Sequence, residues 1–171
     1  MSVDTPIIEA SGNNIKEVIL KIKQSYSMAK KEVEIKNILL GDLWGIDIAN
    51  HKWSKYVMVH LHFLLAVKSS YHSKNYITQG RWLNLFQDVR DCMKQGTSVN
   101  VKEVPIGDVP RIASYIVKVH KIFDEIMSKE KDYYSLNLDY DVFGNLYYNL
   151  QGVCMSGRNG YFSNTKKKGK L

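Results

Sequence analysis

The run Tyr56-Val-Met-Val-His-Leu-His-Phe-Leu-Leu-Ala-Val67 sets the strongest limit on what this chain can fold into. It is the longest nearly uncharged stretch of the sequence, yet it is too short for an apolar helix that crosses a bilayer, which takes about 20 residues. It reads instead as a strand. A second run, Ile38-Leu-Leu-Gly-Asp-Leu-Trp-Gly-Ile-Asp-Ile-Ala49, also reads as a strand, and its two glycines suggest a bulge or a close backbone approach. The polar segment from Asn50 to Ser54 between them predicts a turn, and the two strands therefore form a hairpin.

Around this hairpin the pattern is helical. Ile15, Val18, Ile19, Ile22, Tyr26 and Ala29 share one face of a helix that follows the breaker Gly12-Asn13-Asn14, with Lys16, Lys21, Lys23, Lys30 and Lys31 on the solvated side. Ser69 to Thr78 is a polar loop, and Thr78 caps a helix over about 80–94 with Leu83, Phe86, Val89 and Met93 as its apolar stripe. Val99 to Val104 alternates as a short strand. Asp108 and Pro110 open another helix, with Ile112, Ile116, Val119, Phe123 and Ile126 inward. An aromatic stretch then begins at Tyr133-Tyr134. The order helix, hairpin, helix, strand, helix predicts an α+β fold, an antiparallel sheet with helices packed mainly on one face. Residues 1–162 are expected to form one domain and 163–171 a basic flexible tail.

With 171 residues the chain is long enough for one domain with a real core. Lys and Arg number 24 against 17 acids, a formal charge of +7, which favours a polyanion as partner, nucleic acid before anionic membrane. There is no membrane span and no basic-then-apolar leader, so a cytoplasmic protein is expected, without a membrane partner. Cys92 and Cys154 form no paired motif and read as free structural thiols rather than zinc ligands.

His60 and His62 are two apart on a strand, so both imidazoles point to one face of the sheet. Two such rings offer nitrogen ligands to one divalent ion, and Asp47, on the first arm of the hairpin, is placed to add a carboxylate. Spacing alone leaves the plainer reading ahead, since most His-x-His pairs on strands are simply solvated.

The surrounding residues add a family. His60-Leu-His-Phe-Leu-Leu-Ala-Val-Lys-Ser-Ser-Tyr-His-Ser-Lys-Asn-Tyr-Ile-Thr-Gln79, followed by Arg81-Trp-Leu-Asn-Leu-Phe86, resembles the core of the replication initiators of rolling-circle plasmids, the Rep family of HUH endonucleases. By order of elements the resemblance covers about residues 12–162 and is most specific over 41–86. It implies Mg²⁺ or Mn²⁺ held by His60, His62 and Asp47. The family's strand pattern Gly-x-x-Arg-Ser-Leu-Glu matches Gly41-Asp-Leu-Trp-Gly-Ile-Asp47, with Asp for Glu, Trp44 for Arg and Gly45 for Ser. Its nucleophile helix, Glu-x-Ala-Lys-Tyr-x-x-Lys, matches Arg111-Ile-Ala-Ser-Tyr-Ile-Val-Lys118.

The resemblance therefore implies Tyr115 as nucleophile, with Lys118 helping to ionise it or contacting phosphate. The activity implied is nicking and joining of single-stranded or hairpin origin DNA through a 5′-phosphotyrosine, which leaves a 3′-hydroxyl for a host polymerase and helicase. Lys52, Lys55, Lys68, Lys74 and Lys121 are the candidate phosphate contacts, and Tyr71 and Tyr76 the candidate base-stacking residues. Two departures stand out. Arg111 replaces the family's Glu, and the family's opening strand reads Ser2-Val-Asp-Thr-Pro-Ile-Ile-Glu-Ala-Ser11, where Pro6 argues for a missing or degenerate strand. Competing expectations are a relative that binds DNA without cutting it, another HUH enzyme such as a relaxase or transposase, and a basic domain without nucleic-acid chemistry.

Overall fold

The computed structural model describes residues 1–5, 8–11, 13–50, 56–86, 99–117 and 148–163. In chain order these form β1 (Ser2–Asp4), β2 (Ile8–Ser11), α1 (Ile15–Ala29), α2 (Val33–Ile38), β3 (Leu39–Asn50), β4 (Tyr56–Val67), α3 (Gln79–Asn84), β5 (Asn100–Lys102), α4 (Val109–Val117) and β6 (Ser156–Gly160). Single 3-10 turns occupy Ser69–His72 and Ile106–Asp108. The strands make one antiparallel sheet in the order β5-β1-β4-β3-β6, with β2 running along β4 beyond β1.

The hairpin β3–β4 is the spine of the sheet. Its ladder runs from Gly41 opposite Ala66 to Asn50 opposite Val57, with a register shift between Leu39 and Gly41 at the glycine end. Period-two alternation then sorts the side chains. Val57, Val59, Leu61, Phe63 and Leu65 of β4, with Ile46 and Ile48 of β3, enter the main core. That core is closed by the predicted stripe of α1, by Ile35 and Ile38 of α2, and by Trp82 and Phe86 in and just after α3. Each large side chain buried this way is worth ~1.5–3 kcal/mol. Leu64 and Leu43 face the other side, where Ile116 of α4 covers them in a smaller cluster. The helices therefore do lie mainly on one face, and α4 stands alone among the described helices on the other. That second face also carries the histidines.

The opening strand is present, in two pieces. Ser2, Val3 and Asp4 pair with Leu64, Phe63 and His62, and pairing resumes with Ile8 opposite Val59. Three residues lie between Asp4 and Ile8 where two lie between His62 and Val59, so the first strand has one residue more than its partner across this join. Thr5 secures the join. Its N–H donates to the Leu61 carbonyl at 3.0 Å, and its hydroxyl accepts the Leu61 N–H at 2.8 Å. A proline in this place argued for a missing strand; the register shows β1 as an inner strand between β5 and β4.

The expected cap holds, with the Thr78 hydroxyl accepting the Arg81 N–H at 3.2 Å. The helices predicted to continue to 94 and beyond 117, the turn at 51–55, the aromatic stretch from Tyr133 and residues 164–171 of the tail lie outside the described residues. Two of the supposedly solvated lysines sit on rings instead: the Lys23 amine is 5.2 Å from the Trp44 ring centre and the Lys30 amine 4.5 Å from that of Tyr26. No described helix is long and apolar enough to cross a membrane.

Candidate metal centre and its tyrosine

Strand register builds the site. Asp47 lies directly opposite His60, and His62 lies between Gly45 on one side and Asp4 on the other. Period two sends Asp4, Asp47, His60 and His62 to the same face. One ligand atom from each of Asp47, His60 and His62 falls within 4.8 Å of the other two. The Asp47 carboxylate is 3.5 Å from His60 Nε2 and 3.6 Å from His62 Nε2. The two imidazole rings stand edge to face, 4.3 Å apart.

Tyr115 arrives from the other layer. Its ring is 5.4 Å from that of His62 at 72°, and the Asp47 carboxylate is near enough to act on its phenol. The helix that carries it is anchored on the sheet by Ile116, which is buried, while Tyr115 itself is 48% exposed and so open to a large substrate. Of the five residues singled out as chemistry-bearing, Asp47, His60, His62 and Tyr115 are thus brought together, and Lys118 lies outside the described residues.

The charges in the site are uneven. Burial, and then the neighbouring charge of His62, lower the pKa of His60, so this ring is neutral and open to coordination. For His62 burial works the same way, but Asp4 and Asp47 outweigh it and push its pKa up to about 9. At 3.6 Å the share from Asp47 is an electrostatic pairing rather than a formed hydrogen bond. The contact with His62 holds the Asp47 carboxyl below its usual range, against the cost of its burial. Burial first, and then the charges of Asp47 and Asp4, raise the pKa of the Tyr115 phenol. Taken alone, the protein therefore keeps the phenol protonated and gathers positive charge at His62.

A divalent cation fits this donor set. His62 Nε2, which faces Asp47, is buried without a hydrogen-bond partner, which is costly for a polar atom and natural for a ligand atom. Two imidazoles with one carboxylate make a mixed nitrogen and oxygen donor set of the kind that holds divalent ions.

Asp4 was not anticipated. Its Oδ1 is 2.7 Å from His62 Nδ1. The signal was in the sequence, since Ser2 and Asp4 share a face once residues 2–4 are taken as a strand. Other expected residues lie elsewhere. Tyr71, expected to stack on bases, is a core residue with 2% of its surface exposed, its hydroxyl directed at the Ile77 carbonyl. The loop places its ring under the core, so it cannot receive a base. Lys68, Lys74 and Tyr76 are exposed. Lys68 follows His62 by six residues of extended chain, roughly 20 Å at the usual strand rise, so it stands well away from the centre. Lys52, Lys55, Lys118 and Lys121 lie outside the described residues. Arg111 is exposed and paired with Asp108 at 3.6 Å.

A sheet that presents two histidines and a carboxylate on one face, with a helical tyrosine against them, defines a candidate metal-and-tyrosine centre. The chain belongs to the replication protein family, which it matches over residues 5–171. It is 24% identical over 165 residues to the Rep protein of Streptococcus pneumoniae serotype 2 (strain D39 / NCTC 7466), covering 92% of this chain and 48% of that protein. It is also 28% identical over 102 residues to the Rep protein of Bacillus amyloliquefaciens, covering 59% of this chain and 27% of that protein. The chain thus spans half or less of the curated relatives that it matches. No solved structure matches it.

Proposed function

We propose that this chain acts as a rolling-circle plasmid replication initiator that nicks and rejoins single-stranded origin DNA through Tyr115. The observation that carries this reading is the placement of the Tyr115 ring 5.4 Å from His62, within the Asp47–His60–His62 cluster, on an open face of the sheet. Asp47, His60 and His62 would hold Mg²⁺ or Mn²⁺, which supplies charge neutralisation at a scissile phosphate. The Tyr115 oxygen attacks phosphorus, the bond from phosphorus to the 3′ oxygen breaks, and the 5′ phosphate stays on the tyrosine. The phenol gives up its proton as the new bond forms, and the leaving 3′ oxygen gains one. The reverse attack by a 3′-hydroxyl rejoins the strand. Between the two steps the free 3′-hydroxyl serves a host polymerase working behind a host helicase. Lys68, Lys74 and Tyr76, with Lys52, Lys55, Lys118 and Lys121, supply candidate contacts to the strand.

One observation favours a second reading, a relative that holds DNA without cutting it. Where the family has a glutamate four residues before the tyrosine, this chain has Arg111, turned to Asp108 and solvent. The test is incubation of the protein with a pool of 3′-labelled single-stranded oligonucleotides and Mn²⁺ or Mg²⁺, followed by denaturing electrophoresis. A protein-linked label that vanishes in Tyr115→Phe is expected. DNA binding without any adduct under either ion would reject the nicking reading and leave the second.

A further inference from the structure

We propose that Asp4 is a positioning residue for the metal centre: it fixes the ring of His62 from behind, so that Nε2 alone is presented to the cation. This rests on the reading of Asp47, His60 and His62 as ligands.

The geometry is built into the sheet. Asp4 and His62 are register partners on neighbouring strands, and Asp4 Oδ1 lies 2.7 Å from His62 Nδ1. The next residue, Thr5, is bonded through both its N–H and its hydroxyl to Leu61, the residue between the two histidines. The strand cannot slip without breaking that clamp, so Asp4 is held opposite His62. A carboxylate at Nδ1 makes that nitrogen the donor, and the lone pair available for coordination is then on Nε2. His62 Nε2 is the atom that is buried, without a hydrogen-bond partner and 3.6 Å from Asp47. Because the two ring nitrogens face apart, an acid bonded to Nδ1 stands behind the ring, which makes Asp4 a support rather than another ligand. His60 has no such support, since its Nδ1 is the other buried nitrogen without a partner. The two histidines are therefore unequal, with His62 as the oriented ligand.

The experiment is Mn²⁺ titration followed by electron paramagnetic resonance of the free ion, on the wild-type chain and on the Asp4→Ala, Asp4→Asn and Asp47→Ala variants. Circular dichroism confirms the fold of each. Loss of an orienting partner of this kind typically costs 10–100-fold in metal affinity, and that range is expected for Asp4→Ala. Asp4→Asn should recover part of the loss, because its amide oxygen still accepts the Nδ1–H. Long-range ¹H–¹⁵N spectra of the Mg²⁺-loaded protein should show His62 protonated at Nδ1 in the wild type and in Asp4→Asn, with that signal lost or mixed in Asp4→Ala. Unchanged affinity and an unchanged His62 tautomer in Asp4→Ala would overturn the role of Asp4 while leaving the ligand cluster intact. A wild-type chain that binds no Mn²⁺, or binds it equally well as Asp47→Ala, would instead remove the metal reading, and with it this inference.

Discussion

Replacing Thr5 with valine should loosen the sheet at the point where the candidate metal cluster is made. Thr5 is 4% exposed and Leu61 is fully buried. In Thr5→Val the volume is nearly kept, but the oxygen that accepts the Leu61 N–H at 2.8 Å is gone. No water reaches that amide, so the cost is that of a buried donor left without a partner, ~1–3 kcal/mol. Taking about 2 kcal/mol as the centre, the loss is a sizeable share of the ~5–15 kcal/mol that holds a typical domain together. Equilibrium unfolding in urea, with chelator present, measures it directly. Amide hydrogen exchange supplies the local readout, because 2 kcal/mol corresponds to about 30-fold faster opening at the Leu61 amide. Thr5→Ser keeps the hydroxyl and should lose distinctly less. Stability within about 0.5 kcal/mol of wild type in Thr5→Val, with Leu61 protection unchanged, would refute the clamp.

Three further outcomes follow from the same geometry. A Cβ added at Gly157 would sit 2.6 Å from the Trp44 ring, so Gly157→Ala should cost ~1–3 kcal/mol in urea unfolding and shift Trp44 fluorescence; a neutral result would show that the ring moves freely. Asp42 is 2% exposed and held by Lys30 at 3.5 Å and by the Asn159 amide at 3.1 Å, so Lys30→Met should destabilise by about 2 kcal/mol, less than a fully buried pair because Lys30 is partly exposed, and Lys30→Met with Asp42→Asn should recover much of the loss. In the metal-free protein the raised pKa of His62 adds stability that is fully present below 6.5 and lost as pH rises through about 9, at most about 3 kcal/mol; His62→Gln should lack this slope between pH 6.5 and 10, and equal slopes in the two proteins would exclude the pair as its source.

The hairpin was legible because two long, nearly apolar runs, too short to cross a bilayer, flank a polar turn. Period two then put His60 and His62 on one face, and Asp47 was added from its place on the other arm. The strand β6 was not legible. Ser-Gly-Arg-Asn-Gly has none of the β-branched or aromatic residues that favour strands. It is ordered by its partner instead: Asn159 reaches the buried Asp42, Gly157 lies against Trp44, and Gly160 takes a positive φ of 55° that suits glycine. Pro6 misled because the paired residues on either side of it, Ser2–Asp4 and Ile8–Ser11, carry the strand; Pro6 itself lies outside the described residues. Tyr71 misled because a polar loop hid a core contact, with its ring beneath the same cluster as Ile77 and Trp82. Nothing in the local pattern raised Tyr115 above the other tyrosines; only the family resemblance did, and the packing of Ile116 on Leu64 explains how α4 delivers it.

The three candidate ligands all belong to one hairpin, and this bears on the order in which the site comes into being. Fifteen positions separate Asp47 from His62, whereas Asp4 lies 58 positions before His62, Tyr115 lies 53 after it, and β6 must return across 117 positions for Asn159 to reach Asp42. Closing a chain costs more entropy as the closed loop lengthens, and distant strand pairing slows folding. The ligand cluster is therefore a local product of the first strands to meet, while its supporting carboxylate and its tyrosine are brought in by long closures. By this reasoning the candidate ligand cluster forms before α4 brings the candidate nucleophile, Tyr115, to it.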